Sequence, residues 1–402
     1  MSDNGHEAHA ADDDPLPYEG LRVVDLSQGM AGPNSGMQFA AYGADVIKIE
    51  PLEGDWIRKL GRQYASHSAL SLAVNRGKRS IALDLKKPEA IEIVRRLVAR
   101  ADVLLENNRP GVADRLGLGW DAMRAINPRL VYVSMTGFGQ KGPYAQRVST
   151  DTIGQAFSGM MSLTRDDAGK PMKIGYLVID AVASLYGFQA TAAALLQRDR
   201  TGRGRHVDVS LMDASMSLVG YKFIETALEG ENPQPLNVPV GNYRTSDGWI
   251  TVSLMRESQF VAICEVLGIP EIPRDPRFDS FATRAVNARE IVAIIARRLE
   301  TDTTAHWLAK LQAADVLCSR INTLGDVVAD EHVVATGRMA RYEQPGVGTL
   351  PMPALPGSPP IVDGPRAAAP ALNQHAAAIL GEVGYGPDAV ARLRTAGVVG
   401  KA

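Results

Sequence analysis

Short apolar runs and amphipathic stretches take turns along the first half of this chain, and their alternation predicts strands and helices in turn. "LRVVDL" (21–26), "DVIKIE" (45–50), "RSIALDL" (79–85), "DVLLEN" (102–107) and "LVYVSM" (130–135) are strand-length and close to continuously apolar. A Gly/Pro-punctuated turn after the first run leads into a helix through "GMQFAAYG", and a polar loop follows the second. After the third, "PEAIEIVRRLVARA" sets Ile91, Val94, Leu97 and Val98 on one helical face, with Pro88 in the first turn. Strands alternating with helices imply a mostly parallel sheet covered on both faces, an α/β fold. Ligands of such sheets sit beyond the carboxyl ends of the strands. Those ends are the loops beginning at Ser27, Pro51, Asn107 and Thr136.

The second half has a different texture. After "RHVDVSLMD" one long helix is predicted through "SLVGYKFIETALEG", followed by the proline-rich "ENPQPLNVPV". A turn at Asp247-Gly248 joins two strand-like runs, and helices follow in "ESQFVAICEVLG", "NAREIVAIIARRLE" and "TAHWLAKLQAADV". The chain thus divides into an acidic disordered tail (1–20), the N-terminal part of a large domain (21–229), a small domain (230–323) and a return segment with a helical C-terminus (324–402). The proline-laden "LPMPALPGSPP" is expected to run across a surface rather than join a sheet.

Composition narrows the function. At 402 residues the chain is too long for one core, so two domains are expected. Its 43 Lys and Arg against 45 Asp and Glu lack the basic footprint of a nucleic-acid binder. No apolar run approaches the roughly 20 residues of a membrane span. The opening "MSDNGHEAHAADDDPLP" is too acidic and polar for a targeting peptide. Cys264 and Cys318 stand far apart, which fits a reducing cytoplasm, and the one close histidine pair, His6 and His9, lies in the tail. A metal site made of side chains is not expected.

Three motifs carry candidate chemistry. "GFGQKG" (137–142) matches GxGxxG after a strand, but Pro143 and Tyr144 follow and no helix opens before Val148, so the dinucleotide reading fails. Its glycines would still let backbone amides approach an oxyanion. "NRGKRS" (75–80) and "RDRTGRGRH" (198–206) are basic clusters; each alone reads as a solvated turn, and a phosphate-bearing ligand would want one of them. Asp180 is the one residue between Gly175 and Gly187 that carries a charge near neutral pH. It reads as an N-cap of the helix that follows, as a buried structural carboxylate in need of a partner, or as a nucleophile kept ionised by helix-end amides, the first and last being compatible. Pattern alone leaves these open.

Ordered blocks supply more. "LRVVDLSQGMAGP", "GADVIKIEP", "NRGKRSIALDL", "ADVLLENNRPGVADRLGLG", "NPRLVYVSMTGFGQKGPY", "GQAFSGMM" and "TGRGRHVDVSLMDASM", with the Asp180 segment between the last two, resemble the family III coenzyme A transferases. The resemblance is strong from Leu21 to Leu218 and weaker beyond. It implies a Rossmann-like parallel-sheet large domain built from both ends of the chain, a smaller α+β domain from its middle, and an interlocked, ring-like homodimer. It makes Asp180 the catalytic residue, attacking an acyl-CoA and passing CoA to an acceptor carboxylic acid. Coenzyme A is then a substrate, and no cofactor is bound permanently. The CoA-contacting positions fall on Met30, Ala31, Asn75, Lys78, Asn107, Asn108, Arg115 and Thr136, with Lys78 and Arg115 on the phosphates and Asn107 orienting the nucleotide. Gly137, Gly139, Gln140 and Gln28 are candidates for the oxyanion and acyl side. Racemases of acyl-CoA thioesters share the fold and need two acid/base groups. Here their histidine block reads "STDTIGQ", no histidine lies between His67 and His206, and only Asp151 is near. A non-catalytic CoA-binding protein is the remaining alternative.

Overall fold

The five apolar runs fold as five strands, and a sixth joins them: β1 (Arg22–Asp25), β2 (Asp45–Glu50), β3 (Arg79–Ala82), β4 (Val103–Glu106), β5 (Val131–Thr136) and β6 (His206–Ser210). The computed structural model describes residues 15–166, 168–231, 233–235, 237–358, 361 and 366–401. All six strands are parallel, in the order β3-β2-β1-β4-β5-β6. This is the Rossmann order, in which the chain winds outward from β1 to one side and then from β4 to the other. The loops leaving β1 and β4 diverge, and a crevice opens between them.

Five helices position that crevice: α1 (Ala31–Ala41), α2 (Pro88–Val98), α3 (Asp151–Phe157), α4 (Val178–Thr201) and α5 (Leu211–Leu218). Both sheet faces are buried, which is why the strands read as continuous apolar runs. Val24, Ile47, Ile81, Leu104 and Tyr132 pack with Ile93, Val94 and Leu97 of α2 and with Ile379, Leu380 and Val390 near the C-terminus. Ile93 is fully buried where the periodicity favoured Ile91, which is only half-buried. On the other face Val23, Val46, Val103 and Val133 meet Phe39 of α1 and Ala194 and Leu195 of α4. The C-terminal segment closes the β3 edge, where Asn373 accepts from Ala82 N and donates to Gly400 O.

The "TGRG" part of the second basic cluster is a backbone device. Gly202 ends α4 at φ +72°, its N–H donating to Arg198 O at 2.7 Å. A Cβ on Gly204 would lie 1.9 Å from the Leu130 carbonyl, so the chain passes there only as glycine. Arg198 is itself tied to Asp102 at 2.7 Å.

The chain separates into two units, residues up to 220 together with 337–402, and residues 221–336. The second has an antiparallel sheet of β7 (Gly241–Arg244), β8 (Trp249–Ser253) and β9 (Leu317–Arg320) in the order β9-β8-β7. Ile250, Val252, Phe260, Ile263, Ile291, Ile295 and Leu311 form its core.

Several expectations change. Residues 1–14 of the tail lie outside the described residues. Residues 15–20 are not a free tail: Tyr18 N–H donates to Tyr42 O, and its ring packs on Phe39 and Phe188. The long helix after β6 is broken at Val219 into α5 and Gly220–Glu229, since glycine weakens a helix interior. The prolines of "LPMP" do join a sheet: β10 (Met339–Gln344) pairs with β11 (Gly348–Pro353). Pro351 and Pro353 are two residues apart, so both can turn their missing N–H to the open edge of this two-stranded hairpin. The polar loop after β2 holds a short 3-10 turn (Trp56–Lys59) and a helix (Ala69–Val74). α4 is long and apolar enough by composition to cross a membrane, which the sequence reading did not allow; here its small residues pack it against α1, β5 and β6.

Candidate active site

The crevice floor is the turn from β1 into α1. Beneath it lies a cluster of buried charges: Lys78 pairs with Asp25 at 2.8 Å, Lys48 with Asp55 at 3.2 Å, and Arg58 with Glu50 at 2.6 Å. Burial brings the Lys78 ammonium down to about 8 despite Asp25, whereas at Lys48, Asp25 and Glu50 the partners outweigh it. Lys48 and Lys78 hold the Asp25 carboxyl below its usual range, and Arg58, helped by Lys48, brings Glu50 down to about 2. The cluster grips the turn by its backbone. Asp25 accepts from Ser27 N, Lys48 donates to Ser27 O, and Asp55 accepts from Gly29 N at 3.1 Å. Asn107, at the end of β4, brackets Gln28 by accepting from its N–H at 2.8 Å and donating to its carbonyl at 2.6 Å.

Asp180 enters from the far wall on the first turn of α4. It is not the N-cap, because the helix starts at Val178 with Leu177 in the cap position and no local side-chain cap. The capping carboxylate comes from another helix: Asp151 accepts from Ile179 N at 2.6 Å and Asp180 N at 3.2 Å. Gln155, one turn on in α3, donates to the other Asp151 oxygen at 2.6 Å. Burial, and then the negative charge of Asp151, push the Asp180 carboxyl up to about 7.

One cavity of about 270 Å³ gathers these parts. Asp180 lines it together with Gln28, Met30, Ala31, Asn107, Asn108, Thr136 and Gly137. Met30 and Ala31 stand at the N-terminus of α1, and Thr136 Oγ1 is buried without a hydrogen-bond partner among the described residues. Of the expected residues, some lie elsewhere and others are already engaged. Lys78 is 2% exposed, and its ammonium already donates to Asp25, Pro33 O and Asn75 Oδ1, leaving no donor for a phosphate. Asn75 is spent on the same lysine and on Ser71 O. Asn107 likewise uses its amide to hold Gln28, so it shapes the turn. Arg115 is exposed on the short helix Val112–Arg115 and does not line the cavity. Gly139 and Gln140 are also outside it, and the Gln140 N–H donates to Asp208.

Among the lining residues that the sequence did not single out are Trp56, Arg109 and Arg147. Asp151 was noted only as a neighbour in sequence. The one signal for Arg147 was its spacing, three residues after Tyr144 in the Gly-rich loop. A second cavity of about 450 Å³ shares Gln28 and Asn108 with the first and extends along Glu50–Glu53, Asp84–Lys86, Leu116 and Leu118. Among the described residues no cluster of three His, Cys, Asp or Glu could hold a metal.

The sequence profile of "CoA-transferase family III" matches residues 18–376. Succinyl-CoA:glutarate CoA-transferase of Homo sapiens is 34% identical over 95% of this chain and 90% of the human protein. Acetyl-CoA:oxalate CoA-transferase of Acetobacter aceti is 35% identical over 90% of this chain and 95% of its own length. The fold is similar to that of a CAIB/BAIF family protein from Brucella suis, with a TM-score of 0.82 and 35% identity over 92% of this chain and 100% of that one.

Proposed function

The chain belongs to CoA-transferase family III, and from that premise we propose that it carries CoA from a thioester to a carboxylic acid on Asp180. The Asp180 carboxylate attacks the thioester carbonyl of an acyl-CoA, forming a mixed anhydride and releasing CoA thiolate. The thiolate attacks the aspartyl carbonyl, expels the donor acid as its carboxylate and leaves an aspartyl-CoA thioester. An acceptor carboxylate attacks that thioester, giving a second anhydride and thiolate again. Attack of the thiolate on the acyl carbonyl then yields the new acyl-CoA and frees the Asp180 carboxylate. The Thr136 hydroxyl and the Gln28 side chain are the donors we assign to the tetrahedral oxyanions, each worth about 3 kcal/mol by analogy with known oxyanion holes. The pantetheine arm would pass Gln28 and Asn108 into the second cavity, whose rim carries Lys86. Binding energy from that remote end offsets the cost of positioning a weak nucleophile.

The observation that carries this reading is a half-buried carboxylate with a raised pKa in a cavity at the switch point of the sheet. Incubation with an acyl-CoA followed by hydroxylamine should leave a hydroxamate on the peptide containing Asp180, detected by mass spectrometry. An unmodified Asp180 peptide during full turnover would sink the mechanism and leave the non-catalytic alternative. The racemase alternative loses its second acid/base group, because Asp151 does not line the cavity and both its oxygens are engaged.

The pH profile tests the Asp151 contact. With Asp180 at about 7, kcat/KM should rise as pH passes through 7 and level off above it. Asp151→Asn keeps a capping oxygen but removes the like charge, so the acid limb should move to lower pH. It should stay above the ordinary carboxylate range, because burial is the larger cause. An unmoved limb would refute the coupling.

The reading includes an interlocked homodimer, a large domain built from both chain ends around a small middle domain, and a cytoplasmic location. Exposed Ile153, Phe157, Leu163 and Tyr176 give the first unit an apolar surface that fits a partner. A monomeric mass by light scattering would oppose the dimer. The named relatives each pair a thioester with a dicarboxylic acid, which puts dicarboxylates first among acceptors to test.

A further inference from the structure

The loop after β5 carries more than its glycines. Phe138, 7% exposed, anchors it, and Tyr144 packs edge-on against Phe138 at 5.8 Å and against Phe157 at 6.2 Å. The Arg147 guanidinium lies over the Tyr144 ring, 3.6 Å from its centroid. Stacking fixes the plane of the guanidinium and leaves its N–H edge open to a carboxylate, which a guanidinium can grip with two parallel hydrogen bonds. Among the described residues Arg147 has no ion pair, and it lines the same cavity as Asp180.

The charge balance of that cavity is informative. Its lining holds one acid, Asp180, and two cations, Arg109 and Arg147. An acid that receives CoA loses the charge of its reacting carboxylate when the anhydride and then the thioester form. A second carboxylate on the same molecule keeps its charge through every step and needs a permanent cation beside it. CoA phosphates have that chemistry too, but the pantetheine arm holds them far from the thioester, whereas Arg147 shares a cavity of about 270 Å³ with the nucleophile.

We infer that Arg147 seats the distal carboxylate of a dicarboxylic acid, or of its half-thioester, opposite Asp180. This rests on the transferase reading above. Arg109, exposed on the loop after β4, adds positive potential but stacks on no aromatic ring among the described residues. Arg147 is exposed and on a loop, so its replacement leaves the core intact.

The test pairs acids of equal chain length with and without the second carboxylate: glutarate against pentanoate, and succinate against butanoate, as CoA acceptors. Arg147→Met should lower kcat/KM for the dicarboxylates about a hundredfold, the range of a hydrogen-bonded charge pair, and leave the monocarboxylates within about twofold. Arg147→Lys should restore part of the loss, since it returns the charge without the planar fork. An equal loss for both acid classes overturns the assignment. So does a rise in KM confined to the acyl-CoA and matched by weaker inhibition by ADP, which would place Arg147 on the CoA phosphates. Selective loss in Arg109→Met but not in Arg147→Met overturns it as well. If the unaltered enzyme transfers CoA to no acid at all, the transferase reading itself falls, an outcome separate from the other three.

Discussion

Asp180→Ala is expected to lower CoA exchange between two carboxylic acids by about 10⁴-fold or more, because no other group in the cavity can form the anhydride. Thioester binding should survive, since the Gln28–Ala31 turn and the second cavity do not depend on Asp180. Retention of full exchange in Asp180→Ala would remove the residue from the mechanism. A second consequence separates a reactive carboxylate from a structural one. The Asp180 carboxyl ionises near 3.8 when unfolded but at about 7 in the fold, so the folded chain binds more protons between those values. Its contribution to stability is present below pH 4, falls as pH rises through that window, and is fully lost above 7. Asp180→Asn should therefore raise Tm by a few degrees at pH 8 and little at pH 4. A stabilised but inactive enzyme is the expected result.

Lys48→Met is expected to give the largest loss of stability from a single change outside the site. Lys48 is fully buried, and Asp25, Asp55 and Glu50 together keep it charged against the cost of burial. Removing the cation leaves buried carboxylates undercompensated, a class of change that costs about 3–5 kcal/mol. Tm should drop by roughly 5–10 °C. Lys48 also holds the Ser27 carbonyl, while Asp55 holds Gly29, so KM for acyl-CoA should rise as the turn loosens. Lys48→Met with Asp55→Asn should cost less than the two single changes added together, because one buried charge leaves with the other. Strict additivity would show that the cluster is not a coupled unit.

The strands and main helices could be read from the chain because burial on both sheet faces writes itself as local pattern. β1 through β5 coincide with the apolar runs, and the break in GxGxxG periodicity after Gly142 matches a loop with no helix before α3. The site was legible only in part. Met30, Ala31, Asn108, Thr136, Gly137, Gln28 and Asp180 do share one cavity. The family resemblance put Lys78 on the CoA phosphates. Its actual partner, Asp25, lies 53 positions away, and no local pattern signals that the ammonium points inward.

The sequence by itself determined where strands and helices run, which segment carries the lone carboxylate, and which family the ordered blocks resemble. Each follows from neighbours in the chain: hydrophobic periodicity, helix-end chemistry, and the order of short motifs. Tertiary structure alone decided that Asp151, 29 positions upstream, caps α4 and raises the Asp180 pKa. It also decided that Asn107 braces Gln28 across 79 positions and that Arg147 reaches the cavity from its tyrosine platform. Those contacts join residues distant in the chain, and the reactivity of a carboxylate depends on what surrounds it in space.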